Sequence, residues 1–209
     1  MYNARSHQEH DLEHLHRQMS LSRLALLASH GKHGLLATHL PVLIDPTEGT
    51  QGTIYAHLAR ANQQWLDLQA GTEALMIFAG ADAYVSPGYY PSKAEDPRTV
   101  PTWNYLAVHA YGVAEVIQDG PRLLDIVSRL TDRHEQGRSE PWKVTDAPTD
   151  YIQGMLRAIV GIRLPINRLQ GARKLSQNRA AQDIEGVRTR LASSPDHLDN
   201  QLAAHMRQP

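Results

Sequence analysis

Pro87, Pro91, Pro97 and Pro101 interrupt the middle of the chain, and they constrain its fold more than any other local feature. Proline has no N–H to give to a sheet ladder, so residues 87–101 cannot form a central strand. A loop of this length is uncommon in a compact domain and is usually functional. The stretches on either side read as strands. Upstream, residues 74–79 form a continuous apolar run, as in a strand covered on both faces, and 83–86 make a further short strand. Downstream, residues 103–117 alternate, with Asn104, Leu106, Val108 and Ala110 on one face and Tyr105, Ala107, His109 and Tyr111 on the other.

The remaining chain is punctuated in the same way. Residues 10–19 place Leu12, Leu15 and Met19 at helical spacing. Apolar stretches at 24–28 and 35–44 flank Gly31 and Gly34, which predicts a hairpin, and 52–57 predicts a third strand. Residues 60–70 change period, with Trp65, Leu66 and Leu68 on a short helix ended by Gly71. A longer helix follows Pro121, another spans 149–158, a last strand covers 159–166, and 180–207 form polar helices split at Pro195. Five or six antiparallel strands with interleaved helices predict an α+β fold, a closed or split β-barrel with flanking helices. The expected organisation is one domain over residues 1–178 and a helical C-terminal extension over 179–209.

Composition removes several chemistries. The 209 residues are enough to bury a core without staples. With no cysteine there are no disulfides, thiolate zinc sites, Fe–S clusters or thiol nucleophiles, and a reducing compartment is expected. No apolar run approaches the ~18–20 residues of a membrane span, and the N-terminus lacks the apolar core of a secretory signal. A soluble, cytoplasmic protein is the expectation. The net charge of −1 conceals a segment, 157–190, that sums to +6 and leaves −7 for the rest. Half of the twelve aromatics fall between Tyr84 and Tyr111. Aromatic faces and local positive charge suit a planar, phosphorylated ligand, and they also occur on ordinary surfaces.

Among candidate chemistries, His7, His10 and His14 are spaced to share a helix face that could chelate a cation, but the same spacing describes a solvated face, and no metal site is expected. No nucleophile elbow, dinucleotide-binding glycine pattern or P-loop is present. Arg60 stands at a strand end just before a helix, where a guanidinium and free backbone N–H groups can meet a phosphate. The alternative is an exposed Arg60 with Asn62 capping the helix. Thr38 and His39, polar residues within an apolar strand, either face solvent or line a polar pocket. Residues 174–179 (KLSQNR) offer donors that either cap the next helix or reach a ligand. The loop 84–105, with Lys93, Trp103, Asn104 and its tyrosines, is the best site candidate, a dimer contact being the other reading.

Taken in order, ATHLP (37–41), HLARAN (57–62) with Trp65, AYVSP (83–87), YPSK (90–93), VPTWNY (100–105), LTDRHE (130–135) and KLSQN (174–178) resemble the PaiB-type FMN-binding negative transcriptional regulators over about residues 1–190. The resemblance implies the FMN-binding split barrel shared with pyridoxamine-phosphate oxidase. It also implies a homodimer with FMN at the subunit interface, and repression of protease and sporulation genes. It places Thr38 and His39 beside the flavin, and Ala56, His57, Arg60 and Asn62 on its phosphate and ribityl chain. Trp103 would stack on the ring and Asn104 hydrogen-bond to it, with Lys93 in the same loop. Lys174, Gln177 and Asn178 would come from the partner subunit. The chain departs from the family pattern at Gly88-Tyr89, where a serine and a tryptophan are more usual. It also has no basic side chain in 35–41, so phosphate affinity rests on Arg60 and on residues far along the chain. A flavin-dependent oxidoreductase or a haem-degrading relative on the same fold is the alternative function, and no catalytic residue is assigned. Direct DNA binding has only the +6 segment behind it, since no helix-turn-helix is legible.

Overall fold

The computed structural model describes residues 1–206. In chain order the elements are β1 (Gln8–Glu9), α1 (Leu12–Leu21), β2 (Ala25–Gly31), β3 (Gly34–Leu40), β4 (Leu43–Asp45), β5 (Thr53–Ala59), α2 (Gln64–Gln69), β6 (Glu73–Val85) and β7 (Thr102–Val113). They continue with β8 (Glu115–Ile117), α3 (Gly120–Glu135), α4 (Thr149–Arg157), β9 (Ile159–Pro165), β10 (Arg168–Lys174), α5 (Ala181–Ala192) and α6 (His197–His205). Six strands hydrogen-bond in the order β1-β10-β7-β6-β2-β3, and four in the order β4-β5-β9-β8. The α+β class with antiparallel pairing is as expected. Residue 207 of the expected C-terminal helices, and 208 and 209 of the extension, lie outside the described residues.

The β2–β3 hairpin pairs Ala25 with Leu40 through Gly31 with Gly34. Gly34 has φ +85°, a left-handed turn conformation that glycine adopts at no steric cost. The buried Asp67 carboxylate of α2 accepts from the backbone N–H of Lys32 at 3.0 Å and contacts His33 Nδ1 at 3.0 Å, which fastens the turn to the helix. In the smaller sheet β5 pairs with β9 along its whole length, Thr53 opposite Pro165 and Ala59 opposite Ile159.

Four expectations need correcting. The stretch 35–44 is not one strand: it breaks after Leu40 into β3 and β4, which belong to different sheets. Residues 74–79 and 83–86 are not two strands but parts of the single strand β6. Gly80 lies inside it because a Cβ there would fall 2.8 Å from Leu106 Cβ; it marks a close approach rather than a strand end. The stretch 103–117 is not one strand: it breaks at Ala114 into β7 and β8, which belong to different sheets. Finally, residues 168–174 are a strand, β10, in a stretch without apolar alternation, so the strands number ten among the described residues rather than five or six.

The chain divides into two compact units. The first comprises residues 1–18, 79–108 and 170 onward, and the second 19–78 and 109–169. In the first, Val85, Tyr90, Leu106 and Leu175 are buried together with Val187 and Leu191 of α5 and Leu202 of α6, so the C-terminal helices share a core with the strands. Buried Asp183 of α5 accepts from Ser92 N at 3.1 Å and from Ser92 Oγ at 2.7 Å, pinning the proline-rich loop to that helix. In the second, Leu123, Ile126 and Leu130 of α3 pack with Leu43, Ile117 and Leu156. No described helix is long and apolar enough to cross a membrane.

Candidate functional site

The expected site residues fall into two groups, one in each unit. In the first unit Asn104, fully buried on β7, donates from Nδ2 to Ser176 Oγ at 2.9 Å. Ser176 is the only described non-glycine residue with positive φ, at 62°. Such a conformation costs about 1–3 kcal/mol and persists where surrounding contacts fix it. Lys174, at the end of β10, donates from Nζ to Thr102 Oγ1 at 2.6 Å. These residues line a cleft of about 150 Å³ together with Asn178, Arg179, Tyr90 and His7. The Arg179 guanidinium lies over the Tyr90 ring, 4.8 Å from its centroid. Tyr90 OH and His7 Nε2 are buried without a hydrogen-bond partner among the described residues. Burial, and secondarily the charge of Lys174, hold the pKa of His7 below its ordinary value.

Three expected residues of this unit stand apart from the cleft lining. Trp103 follows strand alternation to the face opposite Asn104, where it is half exposed and meets Tyr84 edge-on at 6.0 Å. Lys93 is exposed on a 3-10 turn, Pro91–Ala94. Gln177 folds back on its own loop, accepting from Leu175 N at 2.7 Å and donating to Arg173 O.

In the second unit the Thr38 hydroxyl donates to Gln64 Oε1 at 2.6 Å and accepts from Asn62 Nδ2 at 2.9 Å. Asn62 Oδ1 accepts from Gln64 N at 3.0 Å, but the N-cap position of α2 is Gln63, so Asn62 lies one residue ahead of the cap expected of it. Gln64, fully buried, donates to Leu27 O and Ser29 Oγ and so ties α2 to the hairpin. Arg60 spends three donors inside the protein: Nε on Arg157 O, Nη1 on Gln118 Oε1 and Nη2 on Ile159 O, at 2.8, 2.8 and 3.0 Å. Ala56 is buried and His39 is exposed on the edge strand β3. His57 lines a separate cleft of about 320 Å³ with Pro41, Leu130, His134 and Trp142. Its buried Nδ1 has no partner among the described residues, and burial lowers its pKa.

Sequence reasoning missed Gln64, Asp67, Ser176 and His7 as site or support residues. Nothing in the pattern marks the first two, since polar residues on a short helix read as solvated. Ser176 and His7 were visible only as members of a donor-rich motif and a histidine series. Folding pairs four of the eight basic residues of the +6 segment with carboxylates, one of which, Glu185, belongs to the segment itself. Arg163 pairs with Glu48 and Glu115, Arg168 with Glu73, Arg173 with Glu9, and Arg188 with Glu185.

The donors of the first cleft suit a phosphorylated, hydroxyl-bearing group: two cations, two amides, hydroxyls, and two buried polar atoms lacking partners. A family model described as "Putative FMN-binding domain" matches residues 1–168. The Bacillus subtilis "Protease synthase and sporulation protein PAI 2" is 31% identical, the match covering 82% of this chain and 79% of that protein. An uncharacterized protein of Aspergillus fumigatus is 34% identical, with 73% of this chain and 74% of that protein covered. Among solved structures, the FAD and heme binding protein of Mycobacterium smegmatis superposes with a TM-score of 0.60 at 18% identity, covering 85% of this chain and 78% of that one. A conserved hypothetical protein of Mycobacterium tuberculosis gives 0.58 at 15% identity, covering 86% and 94%. These structural likenesses establish the split-barrel fold expected above. The chain belongs to the FMN-binding domain family that includes the PaiB-type proteins, and FMN is its cofactor.

Proposed function

We propose that the protein works as a cytoplasmic homodimer that holds FMN and acts as a negative regulator of transcription. The observation that carries this reading is the cleft of the first unit. Its lining is cationic and donor-rich, yet its volume of about 150 Å³ falls short of the roughly 300–1,000 Å³ of pockets that enclose ligands of this class. More surface is needed to cover a flavin nucleotide, and a second copy of the chain is the source the reading assigns. Exposed Tyr84 and Trp103 in the first unit, and exposed Leu35 and His39 on the edge strand of the second, are surfaces that such a copy would cover.

In this reading Lys174, Asn104 and Asn178 hold the cofactor from the cleft side. Thr38, His39, Ala56, His57, Arg60 and Asn62 are the second unit's candidate contacts to the cofactor, and Lys93, Trp103 and Gln177 are further candidates of the first. Thr38 and Asn62 are oriented by Gln64, so their hydroxyl and amide positions are set before a ligand arrives. Arg60 keeps one N–H on each terminal nitrogen for an incoming oxygen. FMN, when bound, supplies reversible one- and two-electron chemistry, while the chain supplies binding and orientation.

The regulatory part of the reading is supported by the likeness to the Bacillus subtilis protein, whose name ties it to protease synthesis and sporulation. Since Arg163, Arg168, Arg173 and Arg188 of the basic segment are paired with carboxylates, affinity for DNA from phosphate contacts is expected to be reduced. Sedimentation velocity with detection at the visible flavin band tests the core of the reading. FMN co-sedimenting with a species of twice the chain mass supports it; a flavin-free monomer overturns it. A gel shift with the gene's own upstream region, repeated at raised salt, decides whether DNA is touched directly.

A further inference from the structure

We propose that the cleft of the first unit is an oxyanion subsite, which takes one phosphate or carboxylate group between Lys174 and Arg179 with His7 and Tyr90 as further donors. The proposal builds on the flavin reading only for the source of the oxyanion; the site itself stands on its own geometry.

Charge comes first. Arg163, Arg168, Arg173 and Arg188 each sit against a carboxylate. Lys174 and Arg179 have no carboxylate partner among the described residues, and no acidic residue lines the cleft they share. Lys174 gives one N–H to Thr102 and keeps two donors. The Arg179 guanidinium carbon lies over the Tyr90 ring, 4.8 Å from its centroid, and its fork of N–H donors is of the kind that matches phosphate and carboxylate.

Hydrogen bonding points the same way. Tyr90 OH and His7 Nε2 are buried and unpartnered among the described residues. A buried polar group left so costs about 1–3 kcal/mol, and a group with several acceptor oxygens between these two atoms would satisfy both. The turn that carries Lys174 and Arg179 is locked by Ser176 in its left-handed conformation and by the Asn104–Ser176 hydrogen bond, so both cations are placed without further ordering. Size selects a group rather than a whole cofactor. About 150 Å³ equals roughly five waters at ~30 Å³ each, room for one hydrated phosphate or carboxylate and not for an isoalloxazine.

Two sources share this chemistry: the phosphate of FMN, or the acidic group of a second ligand bound beside the flavin. The full chain is titrated with FMN and with riboflavin by flavin fluorescence, and with inorganic phosphate by phosphorus NMR line broadening. Wild type is compared with Lys174→Gln, Arg179→Gln and Tyr90→Phe, the last keeping the ring that packs in the core. If the FMN phosphate enters the cleft, FMN binds at least tenfold more tightly than riboflavin, and each charge variant shrinks that ratio. If a second ligand's acid enters it, the ratio is unchanged. Inorganic phosphate then binds the FMN-loaded protein and is lost in Arg179→Gln and weakened in Tyr90→Phe. Either result supports the subsite. If neither the ratio nor phosphate binding responds to any of the three variants, the proposal is wrong. Should no flavin bind at all, the phosphate arm still reads the subsite, so failure of the flavin reading is seen separately.

Discussion

Replacing Gln64 by leucine removes the polar centre that joins α2, the β2–β3 hairpin and two expected flavin residues. Gln64 is fully buried and makes one bond as acceptor, from Thr38 at 2.6 Å, and donates to Leu27 O at 3.2 Å and Ser29 Oγ at 3.0 Å. Leucine matches its volume closely, so cavity and strain contributions are small. What remains is the loss of partners for the hydroxyls of buried Ser29 and of Thr38, since Leu27 is paired on both sides within the sheet. Each orphaned buried group costs about 1–3 kcal/mol, so Gln64→Leu is expected to lower stability by about 2–5 kcal/mol. For a chain of this size that corresponds to a fall in melting temperature of roughly 5–15 °C. Urea denaturation followed by far-UV circular dichroism reads it as a lower midpoint at unchanged slope. A double-mutant cycle with Thr38→Val sharpens the test, because the Thr38 hydroxyl loses its acceptor in Gln64→Leu. The second substitution should then cost less than it does in wild type, with a coupling of about 0.5–3 kcal/mol. A loss below about 1 kcal/mol, or additive effects of the pair, would refute the proposed network.

Other perturbations test separate parts of the structure. Gly112→Ala places a Cβ 2.2 Å from the Pro165 carbonyl oxygen, backbone that cannot swing aside, so a melting curve should show a loss of about 1–3 kcal/mol or more; Gly120→Ala, with open space around it, should show almost none. Asp183→Ala removes both bonds to Ser92 and releases the proline-rich loop, so trypsin should cut at Lys93 or Arg98 at least several-fold faster, and an unchanged rate would remove Asp183 as the anchor. Burial holds the pKa of His57, and likewise of His109 and His205, below the ordinary 6.5, so the unfolded chain binds more protons below that pH. Stability should therefore be full above about pH 6.5 and fall as pH drops toward the folded-state values; His57→Gln should flatten part of that slope below about pH 6.5 in denaturation midpoints, and an unaltered slope would show that His57 is not the group involved.

The elements with a clean period were legible from sequence: α3, α4, β9 and the β2–β3 hairpin all lie within a few residues of where apolar spacing puts them. Strand β10 was not, because Arg168, Gln170, Arg173 and Lys174 give it no apolar face; its place depends on Gly171, whose missing Cβ lets Leu15 and Glu9 approach. The break at Ala114 was equally silent, since alternation continues across it while hydrogen bonding passes from one sheet to the other. The candidate site shows the same limit. Spacing could indicate that Lys174, Asn104 and Asn178 were rich in donors, but not that Arg179 and His7 join them in one cleft, nor that Trp103 turns to the other face. The basic stretch misled for a related reason. Charge along a chain says nothing about partners brought in by folding, and Glu9, Glu48, Glu73 and Glu115, all distant in sequence, neutralise much of it.

The most direct measurement of the central claim is an equilibrium titration of FMN into the full-length protein, read by flavin fluorescence and by visible absorbance after gel filtration. The account predicts saturable quenching at one FMN per chain, with flavin and protein eluting together. Fluorescence that rises as for free FMN across the whole titration, with a colourless protein peak, would contradict it.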